Sequence, residues 1–171
     1  ISAGLTDLYA VKPAEIQDKV FRHLISKATD TKWGAQHQYA QIQTYHDFQQ
    51  QVPVQTYEEV KPYVERMRQG ESDVLWPGKV CWFAKSSGTT NDKSKFIPVS
   101  KDGLHDAHYA GGADCVASYL RNNPQSRFFS GKGLILGGSH APNYNLKNSL
   151  VGDLSAILIQ NVNPVSYTHL R

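Results

Sequence analysis

Residues 80–99 read VCWFAKSSGTTNDKSKFIPV. The apolar run Val80 to Ala84 predicts a strand over 79–85, and a second one is predicted over 95–99. Between them stands a turn from Ser86 to Lys95 that is rich in hydroxyls, pivots on Gly88 and closes on Lys93 and Lys95. Short donors on a backbone able to fold tightly can surround an anion, and the lysines bring positive charge. The turn therefore suits the triphosphate of ATP. Its candidate phosphate-binding residues are Ser86, Ser87, Gly88, Thr89, Thr90, Lys93 and Lys95.

Two familiar nucleotide loops are excluded by spacing. A Walker loop needs Gly, four residues and then Gly-Lys-Ser/Thr opening a helix, whereas five residues after Gly88 stands Lys93 in place of the second glycine, and no Gly-Lys-Ser/Thr unit follows. In Ser130-Gly131-Lys132-Gly133 the residue after the lysine is glycine, and Ser126 stands where the first glycine belongs. That segment reads as a turn before a buried strand over 133–137. A dinucleotide fingerprint would want further glycines soon after Gly88, and none occurs before Gly103, so no nicotinamide or flavin is indicated.

With 171 residues, 40% hydrophobic and 19% charged, the chain has the composition of an ordinary globular protein. Its formal charge of +3 is dispersed, which gives no support to nucleic-acid binding. No apolar stretch reaches the roughly 18 to 20 residues that span a bilayer, and no signal peptide is visible at the start. A cytoplasmic protein is expected. Cys81 and Cys115 lack a partner at metal spacing and are expected to be buried thiols. His105 and His108 share a helix face without a third ligand at suggestive spacing, and no metal site is assigned.

Further out, the pattern alternates helices and strands and so reads as α/β. Ile16, Val20, Leu24 and Ala28 recur every four residues between Pro13 and Thr29, as on an amphipathic helix over a core. Weaker helical patterns run from His37 to Gln41 and from Tyr45 to Gln50. Thr56 and Glu59 have capping-box spacing and open a helix to about Gln69, which Pro62 should kink or split and Gly70 should end. Ser100 should cap a helix to about Arg121, weakened at Gly111-Gly112 by a close neighbour or a break. Gly152-Asp153 opens a last helix through Gln160.

The stretch WFAKSSGTTNDKSKFIPVS, residues 82–100, resembles the first ATP-binding motif of the GH3 acyl-acid amido synthetases, a branch of the adenylate-forming superfamily. The resemblance continues through FFSGKGLILGGSH, residues 128–140, and NSLVGDLSAILIQN, residues 148–161. An isolated SSGTT is usually a simple turn. The preceding strand, the lysine running into Phe-Ile-Pro and the downstream blocks favour the nucleotide reading. Many relatives carry glycine where this chain has Asn91-Asp92, a pair that also tolerates left-handed backbone. Asp92 is expected to point either away from the anion or toward a magnesium ion, and the sequence leaves both open.

The resemblance implies an α/β fold, the N-terminal part of the large domain of a firefly-luciferase-like adenylate-forming enzyme, with helices first and then a strand, loop and strand. It implies ATP and Mg2+ as cofactors, and a carboxylic acid and an amine or amino acid as small-molecule partners. Lys95 is the first candidate for the catalytic ammonium that stabilises departing phosphate charge, and Lys93 is the second. Tyr109, Asp114, Ser139 and His140 are candidates for the acyl pocket by position alone. Gly152-Asp153 is not the family's ribose-binding motif, because it opens a helix and follows the loop too soon. The later adenine and ribose motifs and the mobile C-terminal domain are not in this stretch, so residues 1–171 alone are expected to be inactive.

Residues 1–164 are assigned to the N-terminal portion of the GH3 large domain, in a complete protein that the resemblance makes about three times longer. Residues 165–171, VSYTHLR, are expected to be a non-native tail, since the transposon adapter CTGTCTCTTATACACATCT translates in its third frame to Val-Ser-Tyr-Thr-His-Leu. Two other functions are consistent with the loop: an adenylating ligase that hands its acyl group to coenzyme A, and a non-catalytic ATP-binding or interaction module.

Overall fold

The computed structural model describes residues 10–86, 95–131 and 134–162. Helix α1 spans Pro13–Ala28, with proline at its first position, where the missing N–H costs no hydrogen bond. Helix α2, Lys32–Gln36, had no counterpart in the sequence pattern and is set by a local device. The buried Thr31 hydroxyl donates to the Ala28 carbonyl at 2.7 Å and accepts from the Gly34 N–H at 2.9 Å. A Cβ on Gly34 would lie 2.1 Å from the Ala28 carbonyl oxygen, so only glycine permits this turn. A single 3-10 turn, Tyr39–Gln41, stands where the weak helical pattern lay, and α3 follows at Tyr45–Gln51.

Helix α4, Tyr57–Arg68, is continuous through Pro62 and ends before Gly70, which takes a positive φ of 94°. Pro62 thus does not split it. The Glu59 carboxylate accepts from both the N–H and the hydroxyl of Thr56, at 2.6 and 2.7 Å, so the start of α4 is the one its sequence predicts.

Strands β1, Trp82–Lys85, and β2, Phe96–Val99, pair antiparallel with Trp82 opposite Val99 and Lys85 opposite Phe96. A third strand, β3, Leu150–Gly152, pairs parallel to β1 on its other side, giving the order β2-β1-β3. The sequence pattern does not show β3, because three residues are too few to display alternation. Successive side chains of β1 face opposite ways, and both faces are covered. On one side Phe83 packs with Val151, with Val64 and Met67 of α4 and with Val74 and Val80. On the other, Ala84 and Val99 pack against Leu104 and against Ile157 of α6, Leu154–Asn161. The sheet is therefore the middle of three layers, as α/β chains arrange themselves.

After β2 the Ser100 side chain accepts the Gly103 N–H at 3.0 Å, and the chain enters a wide π-helical segment, Gly103–Tyr109, that continues into α5, Ala110–Asn122. The helix does not break at Gly111-Gly112, and outside the helix's own backbone no other segment of the described residues comes within 4 Å of a Cβ built at either position.

Three expectations are corrected. Residues 134–139 are not a buried strand. They have no regular structure, and Leu134 and Leu136 are 86% and 85% exposed, because no neighbouring strand of the described residues pairs with them. Cys81 and Cys115 are both exposed: Cys81 precedes the covered part of β1, and α5 buries none of its residues. On α1 the core stripe is Ile25 and Ala28, while Val20 and Leu24 stay about half exposed. They border a groove of about 620 Å³ shared with Trp76, Asp102 and Asp106.

Candidate phosphate-binding site

The carboxyl ends of β1 and β3, which run parallel, point to one end of the sheet, and in open α/β sheets ligands bind at that end. β1 delivers Lys85 and Ser86 there, and the Ser86 N–H donates to the Lys95 carbonyl at 3.0 Å. Ser86 and Lys95 are thus brought together at the base of the hairpin, as their sequence positions predict. Ser87, Gly88, Thr89, Thr90, Asp92 and Lys93 lie outside the described residues.

Beside this base opens a cavity of about 440 Å³ lined by Ala84, Lys85, Ser86, Ile97, Ser100, His108 and Leu154 among others. Its lining is mostly apolar, from Ala84 along β2 to Leu154, and the Lys85 ammonium lies on the other face of β1, against Tyr144. Such a lining suits the uncharged body of a ligand.

The lysines rest on aromatic rings. The Lys95 ammonium is 5.5 Å from the ring centre of Tyr57, at the start of α4, and the Lys85 ammonium is 4.2 Å from that of Tyr144. Both are within the range in which a cation is drawn to a ring face. The Tyr57 hydroxyl accepts the Phe96 N–H at 2.8 Å. β2 is an edge strand, and Tyr57 thereby occupies a backbone donor that would otherwise face outward.

At the other end of α4, the guanidinium carbon of the buried Arg68 lies 3.9 Å from the centre of the Phe96 ring, and its Nη2 donates to the Tyr144 carbonyl at 2.8 Å. Tyr57 and Arg68 are eleven residues apart, close to three helical turns, so one stripe of α4 supports the hairpin at both points. None of Tyr57, Arg68, Lys85 and Tyr144 was singled out by sequence reasoning. Their only signal is spatial, since Tyr57 and Phe96 are 39 residues apart.

The four residues expected at an acyl pocket are not gathered in one place. The Tyr109 hydroxyl donates to the Leu158 carbonyl at 2.8 Å and ties the π-helical segment to α6. Asp114 is exposed on α5. Ser139 and His140 do lie at the sheet end, against β3 and the start of α6. The Asp153 N–H donates to the Ser139 carbonyl at 2.9 Å while the Asp153 carboxylate accepts the Ser139 N–H at 2.8 Å. The His140 ring sits 5.7 Å from that of Trp82. A Cβ on Gly138 would come within 2.3 Å of the Asp153 carboxylate, so this exchange requires glycine at that position. His108 and Leu154, which the sequence did not suggest, line the cavity instead.

The carboxyl end of β1 and the start of β2 thus carry two lysines and a serine, residue types that bind phosphate in many proteins. For a metal ion the described residues offer no group of three His, Cys, Asp or Glu side chains.

Comparison with known proteins bears on the family and the fold. A model of the GH3 family N-terminal domain matches residues 6–169. Among curated relatives, an Arabidopsis thaliana indole-3-acetic acid-amido synthetase, GH3.15, is 31% identical over 91 residues, covering 53% of this chain and 15% of the relative. A 4-substituted benzoates-glutamate ligase of the same plant, GH3.12, is 32% identical over 84 residues, 48% of this chain and 14% of the relative. The solved structure of a GH3.15 acyl acid amido synthetase superposes with a TM-score of 0.73 at 22% identity, over 92% of this chain and 28% of that one. The α/β fold expected from the sequence is thus that of an adenylate-forming GH3 enzyme over most of this chain, which spans about 15% of the length of the curated relatives it matches. The chain belongs to the GH3 family.

Proposed function

We propose that this chain supplies the phosphate-holding part of an ATP-dependent acyl-acid amido synthetase. The observation that carries the reading is the pairing of Ser86 with Lys95 at the carboxyl end of β1, with Lys85 beside them at the mouth of a cavity. The names of the relatives, synthetases and ligases that join an acid to an amino group, support it.

In this reaction a carboxylate oxygen attacks the α-phosphorus of ATP and the bond to pyrophosphate breaks. An amine nitrogen then attacks the acyl carbon, AMP departs and a proton is released. Negative charge gathers on the departing phosphates in the first step. The Lys95 ammonium is the group assigned to it, because a cation fixed in advance near developing charge lowers the barrier. Ser86, Ser87, Gly88, Thr89, Thr90 and Lys93 complete the proposed cradle, and Lys85 adds a second cation among the described residues. Magnesium is proposed to arrive on the phosphates and is given no protein ligand. For the acid, the cavity along β2 is the better placed site; Ser139 and His140 border the same end of the sheet, whereas Tyr109 is engaged in packing. No helix of the described residues is long and apolar enough to cross a membrane, and a cytoplasmic setting is part of the proposal.

The test is ATP-pyrophosphate exchange by the full-length protein over a panel of aromatic and aliphatic acids, comparing wild type with Lys95→Ala. Exchange with at least one acid is expected, reduced roughly tenfold or more in the variant, the scale of about 1.4 kcal/mol of lost transition-state stabilisation. Transfer to coenzyme A in place of amino acids would assign the thiol-ligase chemistry. ATP binding without exchange on any acid would instead indicate a non-catalytic module.

A further inference from the structure

We infer that Tyr57 is the positioning residue for Lys95, an inference that rests on the ATP-binding role proposed above. Lys95 is the last residue before β2, and its side chain is long and rotamer-rich, so something must limit where its ammonium goes. Tyr57 acts on it at two points. Its hydroxyl holds the Phe96 N–H at 2.8 Å and fixes the backbone at the very next residue. Its ring lies 5.5 Å from the Lys95 ammonium and gives that charge a favourable resting place before any nucleotide arrives.

Tyr57 is itself anchored. It opens α4 directly after Thr56, whose N–H and hydroxyl are held by Glu59, and α4 is bound to the sheet through Val64 and Met67. Arg68, at the far end of the same stripe, presses on the Phe96 ring. The start of β2 is thus held by its backbone from Tyr57 and by its side chain from Arg68, and Lys95 is the first residue beyond that clamp. A lysine preset in this way enters the reaction with less freedom to lose, which should appear in the rate of the adenylating step more than in ATP affinity.

Two measurements on the full-length protein test this. The first uses lysine labelled with 13C at the ε position, with the Lys95 signal identified by its loss in Lys95→Arg. In the absence of nucleotide the Tyr57 ring should shift that signal, Tyr57→Leu should return it to the position of a free lysine, and Tyr57→Phe should leave most of the shift. The second is exchange kinetics in a double-mutant cycle. Tyr57→Leu should lower kcat about three- to tenfold, the range of a cation–ring contact, with little change in KM for ATP. In a Lys95→Ala background the same substitution should cost less than about twofold, because the group it positions is gone.

Equal losses in both backgrounds, or a Lys95 signal that Tyr57→Leu does not move, would overturn the inference. Should Tyr57→Leu not fold, a series of increasingly fluorinated phenylalanines at the position weakens the ring face without changing its shape. A stepwise fall in kcat relative to Tyr57→Phe supports the inference, and a flat response overturns it. If the signal moves as expected but Lys95→Ala exchanges as fast as wild type, the ATP-binding role of Lys95 fails first, and the positioning role with it.

Discussion

Asp102 shows how a single side chain can join segments the sequence keeps apart. Its carboxylate pairs with Lys27 of α1 at 2.7 Å and accepts the Trp76 ring N–H at 2.8 Å. These contacts hold its carboxyl below the usual aspartate range, the bond from Lys27 first and that from Trp76 second. A depressed carboxyl stabilises the fold above its unfolded value of about 3.9 and loses that contribution as pH falls through the lower folded value. Both partners of the ion pair are about one third exposed, so water screens it and the effect is modest. Urea denaturation at several pH values should show Asp102→Asn less stable than wild type at neutral pH, with the difference closing below about pH 4. A difference that is constant across that range would show that the carboxylate charge is not what matters. At this scale the sequence disclosed the charge-bearing residue Lys95, whose place in a hydroxyl-rich loop is local. It did not disclose Tyr57, Tyr144 or Asp102, whose partners are brought to them only by folding.

At the scale of elements, the starts of α4 and of the helix after Ser100 were readable, as were β1 and β2, while α2 and β3 were not. Thr56 with Glu59 and Ser100 with Gly103 are bonds over three residues, so their signals sit within one window of sequence. β3 owes its existence to the backbone of β1, 65 or more residues earlier, and the apolar run 134–136 remains exposed because an apolar run forms a strand only where a partner strand exists. The paired glycines of α5 give a direct test. They lie in a continuous helix with open space at both Cβ positions, so Gly111→Ala and Gly112→Ala should each raise stability by about 0.5–1 kcal/mol in chemical denaturation. A stabilised variant of the full-length protein that lost exchange activity would reveal that a ligand or another segment approaches α5 there. A destabilised variant would contradict the open helix face.

The whole molecule is a small sheet covered on both sides, with an apolar margin left uncovered. Phe128 and Phe129 meet edge to face and are 55% and 71% exposed, and Leu134 and Leu136 are 86% and 85% exposed, so this segment leaves several large apolar side chains in water. Residues 1–171 should therefore bind a dye that fluoresces on apolar surface, and Leu134→Ser with Leu136→Ser should reduce the signal without shifting the unfolding transition. An unchanged signal would place the dye elsewhere, the groove beside Val20 and Leu24 being the next candidate. By itself the sequence determined the class of fold and the two strands on either side of residues 86–95, and it is the source of the residues proposed for phosphate, because each rests on local backbone chemistry or on neighbours a few positions away. Tertiary structure alone decided that Tyr57 and Arg68 clamp the start of β2, that β3 aligns with β1 and that Ser139 is locked to Asp153. Those contacts depend on chain segments whose separation in sequence carries no record of their distance in space.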